Sequence, residues 1–150
     1  MSSEWNTRGE NTILSCLEDC TEKNTDFFSL DGLKTKAKVV DIYDGDSVTI
    51  VLKCFNEFKK FKCRITGIDT PELRTRNLRE KKHGYAARDF LISVIKKCHD
   101  IVDVECHEFD KYGRLLITIF DTDGANVSEQ MIENGFAKQY DGGTKQKWFE

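Results

Sequence analysis

The chain has 150 residues, of which 39% are hydrophobic, so it is long enough to bury the core of one domain of ordinary size. Its formal net charge of −3 and pI of about 5.7 argue against a protein that coats nucleic acid through a uniformly basic surface. No apolar run is long enough to cross a bilayer, and the N-terminus lacks the basic and apolar regions of a signal peptide. We therefore expect a protein that does not bind membranes and that is either intracellular or trimmed of its leader.

The sequence has a polar N-terminal extension, residues 1–35, ahead of a domain that we place at residues 36–150. Asn11 can cap a short helix that runs to about Glu22. Apolar residues recur along it at helical spacing, namely Ile13, Leu14, Leu17 and Cys20. This pattern predicts a helix that docks on the domain and buries that stripe.

Alternating β-prone runs in the domain predict five strands. The first three follow one another closely, at residues 37–43, 47–55 and 58–68, and two more lie at residues 101–109 and 114–120. Short connections between consecutive strands are typical of antiparallel pairing.

Two helices are predicted between and after these strands. Residues 84–98 have a helical period, and Asn126 can cap a second, shorter helix with Glu129 as its capping-box partner and Gly135 at its end. Residues 72–83 read as a long cationic loop that can guide a polyanion. The expected fold is α+β and mainly β: a five-stranded OB-type Greek-key barrel with two packing helices and an extra N-terminal helix.

The six cysteines are predicted to be reduced and buried. They are Cys16, Cys20, Cys54, Cys63, Cys98 and Cys106. No Cys-x-x-Cys pair occurs, and the two Cys-His dipeptides do not have the spacing of a common zinc finger. Thiols that pack as small hydrophobic side chains are favoured over a structural zinc site.

The stretch from Arg64 to Glu72 organises the rest of the chain. A β-prone run ends at Thr70-Pro71, because proline has no N–H to donate and biases the preceding residue towards extended geometry. In a regular strand Arg64 and Asp69, five residues apart, point to opposite faces. Both can serve one site only if the strand bends or bulges, and Gly67 is the residue that allows it.

Three turns bring acids and cations to the mouth of the expected barrel, at residues 44–46, 69–72 and 110–114. Taken singly, each contains ordinary turn-forming residues. Together they supply two carboxylates for a hard cation, another carboxylate nearby and two guanidinium groups. Phosphodiester hydrolysis requires such a set.

These motifs give the chain a resemblance to the staphylococcal nuclease family of thermonuclease-like proteins. The matching text lies at residues 40–48, 64–72, 84–87, 110–114 and 134–138, in the family's order and approximate spacing. The resemblance implies a calcium-dependent nuclease that hydrolyses single- or double-stranded DNA and RNA. It further implies attack of water on phosphorus and 5′ P–O cleavage to 3′-phosphate products.

The resemblance also implies roles for individual residues. The calcium ligands would be Asp46, Asp69 and the backbone carbonyl of Thr70, with Asp44 behind them, and Mg²⁺ or Mn²⁺ are alternative ions. The catalytic residues would be Arg64 and Arg114, which bind phosphate, and Glu72, which activates water. Substrate contacts would come from Lys111, Tyr112 and Tyr140.

Two other functions compete with catalysis: a non-catalytic nucleic-acid-binding module of the same fold, and a small protein-interaction domain supported only by the acidic pI. The complete catalytic set favours the enzyme, and we expect a monomer. Two positions depart from the family pattern: Ser47, where threonine is usual, and His83, where an aromatic residue is common.

Overall fold

The computed structural model describes residues 16–149. Its strands and helices are β1 (Lys34–Asp44), β2 (Ser47–Cys54), β3 (Glu57–Ile65), β4 (Ile68–Asp69), α1 (Leu78–Lys97), β5 (Ile101–Phe109), β6 (Leu115–Phe120), α2 (Val127–Glu133) and β7 (Lys138–Gln139). Five strands form a closed barrel in the order β1-β2-β3-β6-β5. Neighbours are antiparallel except β3 and β6, which run parallel. The predicted α+β fold with a five-stranded OB-type barrel and two helices is confirmed.

The core follows from the alternation in the strands. In β2 the inward residues are Val48, Ile50 and Leu52, and in β6 they are Leu115, Ile117 and Ile119, all almost fully buried. Helix α1 adds Ala87, Leu91 and Ile95 to the same core. Burying apolar area at roughly 25 cal/mol per Å² makes this interior the main source of stability.

Helix α1 starts six residues earlier than the sequence pattern predicted, at Leu78 rather than residue 84. The side chain of Asn77 accepts a hydrogen bond from the backbone N–H of Glu80, which is an N-terminal cap. The first turns of α1 are polar, so the apolar period that revealed the rest of the helix is absent there. The prediction of a cationic loop over residues 72–83 is therefore wrong in its second half, which is helical.

Helix α2 lies where the sequence placed it. The side chain of Asn126 accepts a hydrogen bond from the backbone N–H of Glu129 at 3.2 Å. Gly135 follows the helix with φ of +81°, the left-handed conformation that glycine adopts at no steric cost. The predicted cap and the predicted terminating glycine are both confirmed.

The predicted N-terminal helix is not confirmed. Its first part lies outside the described residues, and the described part contains one 3₁₀ turn, Leu17–Asp19. Leu17 is 89% exposed and Cys20 is also exposed, so the expected burial of these two side chains is wrong. The domain boundary near residue 35 remains a prediction, and β1 begins at Lys34.

All six cysteines are unpaired thiols. Cys63, Cys98 and Cys106 are buried as expected, whereas Cys16 and Cys20 are exposed, contrary to the expectation of burial. Among residues 16–149, no helix has an apolar stretch of the length that spanning a membrane requires.

Candidate active site

A break between β3 and β4 turns Arg64 and Asp69 towards each other. Strand β3 ends at Ile65, and Gly67 adopts a φ of +85° before β4 begins. Arg64 Nη2 then lies 3.9 Å from Asp69 Oδ1. The predicted need for a bend at Gly67 is confirmed, because an L-residue with a side chain rarely adopts that φ.

Arg64 is the centre of a buried polar cluster. Its Nη2 lies 3.4 Å from Asp46 Oδ2, and its Nη1 donates to the backbone carbonyls of Ile65 and Ile68, each at 3.1 Å. Arg64, Asp46 and Asp69 are 8%, 7% and 5% exposed. A buried charge is tolerated only when it is paired and hydrogen-bonded, so these three side chains depend on one another.

Close contact at Gly45 brings the β1–β2 turn against the segment after β4. A Cβ on Gly45 would lie 2.8 Å from Thr70 Cγ2 and 3.0 Å from Ala87 Cβ. Without that Cβ, Thr70 comes close enough for its backbone N–H to donate to Asp46 Oδ2 at 3.4 Å.

A second close contact, at Gly84, positions the segment that carries Glu72. A Cβ on Gly84 would lie 2.8 Å from the carbonyl oxygen of Pro71 and 3.1 Å from that of Glu72. Helix α1 can therefore pack directly on this backbone. Glu72 is held further by its N–H, which donates to Glu80 Oε2 at 3.0 Å.

Asp44 is a buried carboxylate beside Asp46. Its Oδ1 accepts a hydrogen bond from the backbone N–H of Asp46 at 3.1 Å. Burial raises the pKa of Asp44 to about 7, and the neighbouring Asp46 carboxylate adds to the shift. A further cation near Asp44 and Asp46 would favour the ionised carboxylates.

Residues near the C-terminal end, which the sequence analysis did not identify, cover Asp69. Lys145 Nζ lies 3.3 Å from Asp69 Oδ1 and 3.7 Å from Glu72 Oε1, while Trp148 Nε1 donates to Asp69 Oδ2 at 3.2 Å. Burial opposes the charged form of Lys145, but Asp69 raises its pKa above the ordinary value. Residues 141–148 have no hydrophobic period, so no sequence pattern marks these contacts.

The oxygen atoms of the pocket are of the kind that hard cations such as calcium prefer as ligands. Within residues 16–149, Asp69 Oδ1 and Thr70 Oγ1 are buried and accept no hydrogen bond, and Oδ1 has only the ion-pair contacts with Arg64 and Lys145. The ammonium group of Lys145 already bridges Asp69 and Glu72, which indicates that a positive charge is stable there. No group of three acidic, histidine or cysteine side chains within residues 16–149 is suited to hold a metal ion. Calcium or magnesium would therefore need backbone oxygens and water beside Asp46 and Asp69.

Arg114 lines an open cavity of about 710 Å³. The cavity is lined by Arg64 and Tyr140 as well as by Lys111, Tyr112 and Arg114. Arg114 Nε donates to Asp110 Oδ2 at 2.8 Å, and the guanidinium carbon is 5.7 Å from the centre of the Tyr112 ring. Partial burial raises the pKa of Asp110, but hydrogen bonds from Arg114 and Tyr112 outweigh it and hold the pKa below its ordinary value.

Tyr140 joins the cavity to the buried cluster. Its ring centre lies 5.3 Å from the guanidinium carbon of Arg64, and its hydroxyl donates to the carbonyl oxygen of Gly143 at 2.7 Å. The structure thus gathers Asp44, Asp46, Arg64, Asp69, Thr70 and Glu72 in one pocket. It places Lys111, Tyr112 and Arg114 in the adjoining cavity rather than in contact with that pocket.

The sequence analysis also missed a polar group in the wall of the cavity. His107 Nε2 and Thr118 Oγ1 are hydrogen-bonded at 2.8 Å, and Thr118 Oγ1 and Thr66 Oγ1 at 2.9 Å. The alternation of β6 puts Thr118 on the same outward face as Leu116, which also lines the cavity. That alternation is the signal that could have identified it.

Comparison with known proteins identifies the family of this chain. The family model described as staphylococcal nuclease homologue matches residues 62–148. An uncharacterized protein of Methanocaldococcus jannaschii is 31% identical over 69% of this chain and 58% of its own length. An uncharacterized endonuclease of Escherichia coli is 28% identical over 69% of this chain and 60% of its own.

A third relative, a much longer protein, is similar to this chain over only a small part of its own length. Endonuclease YhcR of Bacillus subtilis is 28% identical over 68% of this chain and 9% of its own length. This chain spans 58% and 60% of the length of the archaeal and Escherichia coli relatives. The family model matches more than half of the chain, which shows that the chain belongs to the staphylococcal nuclease family.

Proposed function

We propose that this chain is a nuclease that uses a divalent cation, calcium in the first place, to hydrolyse phosphodiester bonds of DNA and RNA. One observation carries the proposal. Buried Arg64 holds Asp46 and Asp69 in a pocket beside Glu72, and the adjoining cavity contains a second guanidinium group, Arg114. Family membership and the endonuclease names of two relatives support this class of activity.

In this proposal Asp46, Asp69 and the backbone carbonyl of Thr70 hold the cation, and Asp44 supports Asp46. A bound calcium or magnesium ion would supply polarisation of a phosphodiester oxygen. The donor set supports this assignment because it consists of oxygens, in a pocket where Lys145 already places positive charge next to Asp69. Mg²⁺ and Mn²⁺ remain alternatives.

Glu72 is the proposed general base. Its side chain is 52% exposed and therefore accessible to water. It accepts a proton as the water oxygen bonds to phosphorus, the bond from phosphorus to O5′ breaks, and the leaving O5′ takes up a proton from solvent water. The products are a 3′-phosphate and a 5′-hydroxyl.

Arg64 and Arg114 are proposed to stabilise the negative charge that grows on the phosphate oxygens. A guanidinium group can donate two parallel hydrogen bonds to a phosphate, which an ammonium group cannot do. Tyr112, Tyr140 and Lys111 line the cavity and are proposed to contact the nucleotide.

A non-catalytic nucleic-acid-binding module is the second candidate. It is favoured by the lack of a three-acid cluster among residues 16–149 and by Lys145, which occupies the position next to Asp69 and Glu72. Digestion of single-stranded DNA and RNA with calcium, with magnesium and with EDTA separates the two candidates. Metal-dependent digestion with 3′-phosphate ends supports the nuclease, and Glu72→Gln should then slow it strongly.

Retention of the oligonucleotide without cleavage in any of these conditions would support the binding module. If the chain neither cleaves nor retains the oligonucleotide, the remaining interpretation is the protein-interaction domain. The monomeric state and the intracellular location also stay predictions.

A further inference from the structure

The hairpin formed by β2 and β3 presents a row of basic side chains on its outward face. Because Cys63 and Ile65 point into the core, alternate residues of β3 point outward. These are Phe58, Lys60, Lys62 and Arg64. The first three are exposed, whereas Arg64 reaches into the carboxylate pocket. One face of a single strand therefore leads from the candidate active site to the tip of the hairpin.

The charge of this hairpin opposes that of the whole chain. Residues 47–64 contain five cationic residues and one carboxylate, in a protein with a formal net charge of −3. That carboxylate, Glu57, pairs with Lys59 at 3.5 Å. Both residues lie on the opposite face of β3 from Phe58, Lys60 and Lys62. The outward positions of β2 next to Lys60 and Lys62 are Val51 and Thr49, so neither strand carries an acidic group on this face.

Exposed aromatic rings accompany these lysines. Phe58 is 75% exposed, and Lys53 Nζ lies 5.8 Å from the centre of its ring. At the turn, Phe55 is equally exposed and has a φ of +51°, where glycine or asparagine suits a tight hairpin better. Exposed rings beside a row of cations are typical of surfaces that bind single-stranded nucleic acid, where each base can stack on a ring.

We propose that this outward face, which we call the hairpin track (Phe58, Lys60 and Lys62), binds a single nucleic-acid strand that extends from the active site. Lys62 and Lys60 contact successive phosphates, and Phe58 stacks on a base. Alternate residues of a strand are about 6.6 Å apart, so the distance from Arg64 to Phe58 is about 20 Å, enough for several nucleotides. The position of the strand at Arg64 rests on the proposed function.

The test is equilibrium binding of fluorescein-labelled oligothymidylates of three and twelve residues, followed by anisotropy in EDTA so that no strand is cut. The double variant Lys60→Gln/Lys62→Gln should bind the twelve-residue strand about tenfold more weakly and the three-residue strand as the parent does. Loss of two phosphate contacts should reduce the slope of log K against log salt by about 1.4. Phe58→Ala should cost at least about fivefold for the longer strand.

The matched control is Lys59→Gln, compared with Lys60→Gln alone. Both remove one lysine charge from adjacent positions of the same strand, but Lys59 lies on the other face beside Glu57. Lys60→Gln should weaken binding of the longer strand several-fold, and Lys59→Gln should change it less than twofold. Circular dichroism melting of each variant checks that the barrel is intact.

Equal effects of Lys59→Gln and Lys60→Gln would overturn the proposal, and so would a parent that binds neither strand. The proposal is also wrong if the track variants bind as the parent does and instead change the sedimentation coefficient, which would make this face a protein contact. If binding depends on the hairpin track but calcium brings no cleavage, the track proposal holds and the nuclease proposal is refuted. If the protein cleaves DNA but the track variants bind as the parent does, the nuclease proposal holds and the track proposal is refuted.

Discussion

The two proposed phosphate-binding arginines are held in different ways. Arg64 is buried, contacts Asp46 and Asp69, and donates to two backbone carbonyls. Arg114 follows the β5–β6 turn, is one third exposed and pairs with Asp110. Arg64 therefore contributes to both the fold and the site, whereas Arg114 can be changed with little cost to the fold.

The largest effect is expected from Arg64→Ala. Because Asp46 and Asp69 would be left as buried charges without their shared cation, we expect a loss of about 3–5 kcal/mol in the free energy of unfolding. Nuclease activity should be abolished. Urea denaturation measures the first effect, and Arg64→Lys serves as the control that keeps the charge. Stability within about 1 kcal/mol of the parent would show that the cluster does not depend on Arg64.

Arg114→Ala should separate activity from stability. Its partly exposed ion pair with Asp110 contributes little to folding, about 1 kcal/mol or less. Loss of the guanidinium group should lower kcat on single-stranded DNA about a hundredfold or more. Steady-state kinetics with calcium, run beside a melting curve, measures both quantities. A kcat within a few-fold of the parent would refute the role assigned to Arg114.

The sequence predicted the barrel and the bend at Gly67 well, because both depend on local patterns. Strand alternation gave the barrel, and Gly67 indicated where β3 must break so that Arg64 and Asp69 can meet. The start of α1 was missed because its first turns are polar and only the Asn77 cap marks them. Lys145 and Trp148 could not be predicted, since their contacts with Asp69 are long-range and follow no period.

Lys145→Gln tests how the C-terminal residues that cover Asp69 affect the binding of calcium beside Asp69 and Glu72. Removing the ammonium group that neutralises Asp69 and Glu72 should strengthen calcium binding by several-fold, about tenfold at most, by general magnitudes for exposed and partly exposed ion pairs. Isothermal titration calorimetry of calcium measures it. Lys147→Gln is the control. The contact of Lys147 with Lys138 Nζ is made by its backbone carbonyl, which the substitution keeps. Weaker calcium binding by Lys145→Gln would instead make Lys145 a supporting residue of the site.

The smallest effect concerns Cys63, the inward neighbour of Arg64 on β3. Burial raises the pKa of Cys63 from 9.0 to about 12, and burial also raises that of Cys106 to about 11. The folded state therefore keeps these protons when the unfolded chain loses them, so stability should fall as pH rises above about 9. At pH 8, iodoacetamide should label Cys16 and Cys20 within minutes and leave Cys63 and Cys106 unmodified, as peptide mass mapping would show. Fast labelling of Cys63 would mean that the barrel opens readily beside Arg64.

The most direct test of the central claim is calcium-dependent cleavage of single-stranded DNA by the parent and by Asp69→Asn. Asp69 is the carboxylate at which Arg64, Lys145 and Trp148 meet. If this pocket is the catalytic centre, the parent cleaves only with a divalent cation, and Asp69→Asn loses about a hundredfold or more in rate together with calcium affinity. Cleavage by Asp69→Asn at a rate within a few-fold of the parent, at the same calcium concentration, would contradict it.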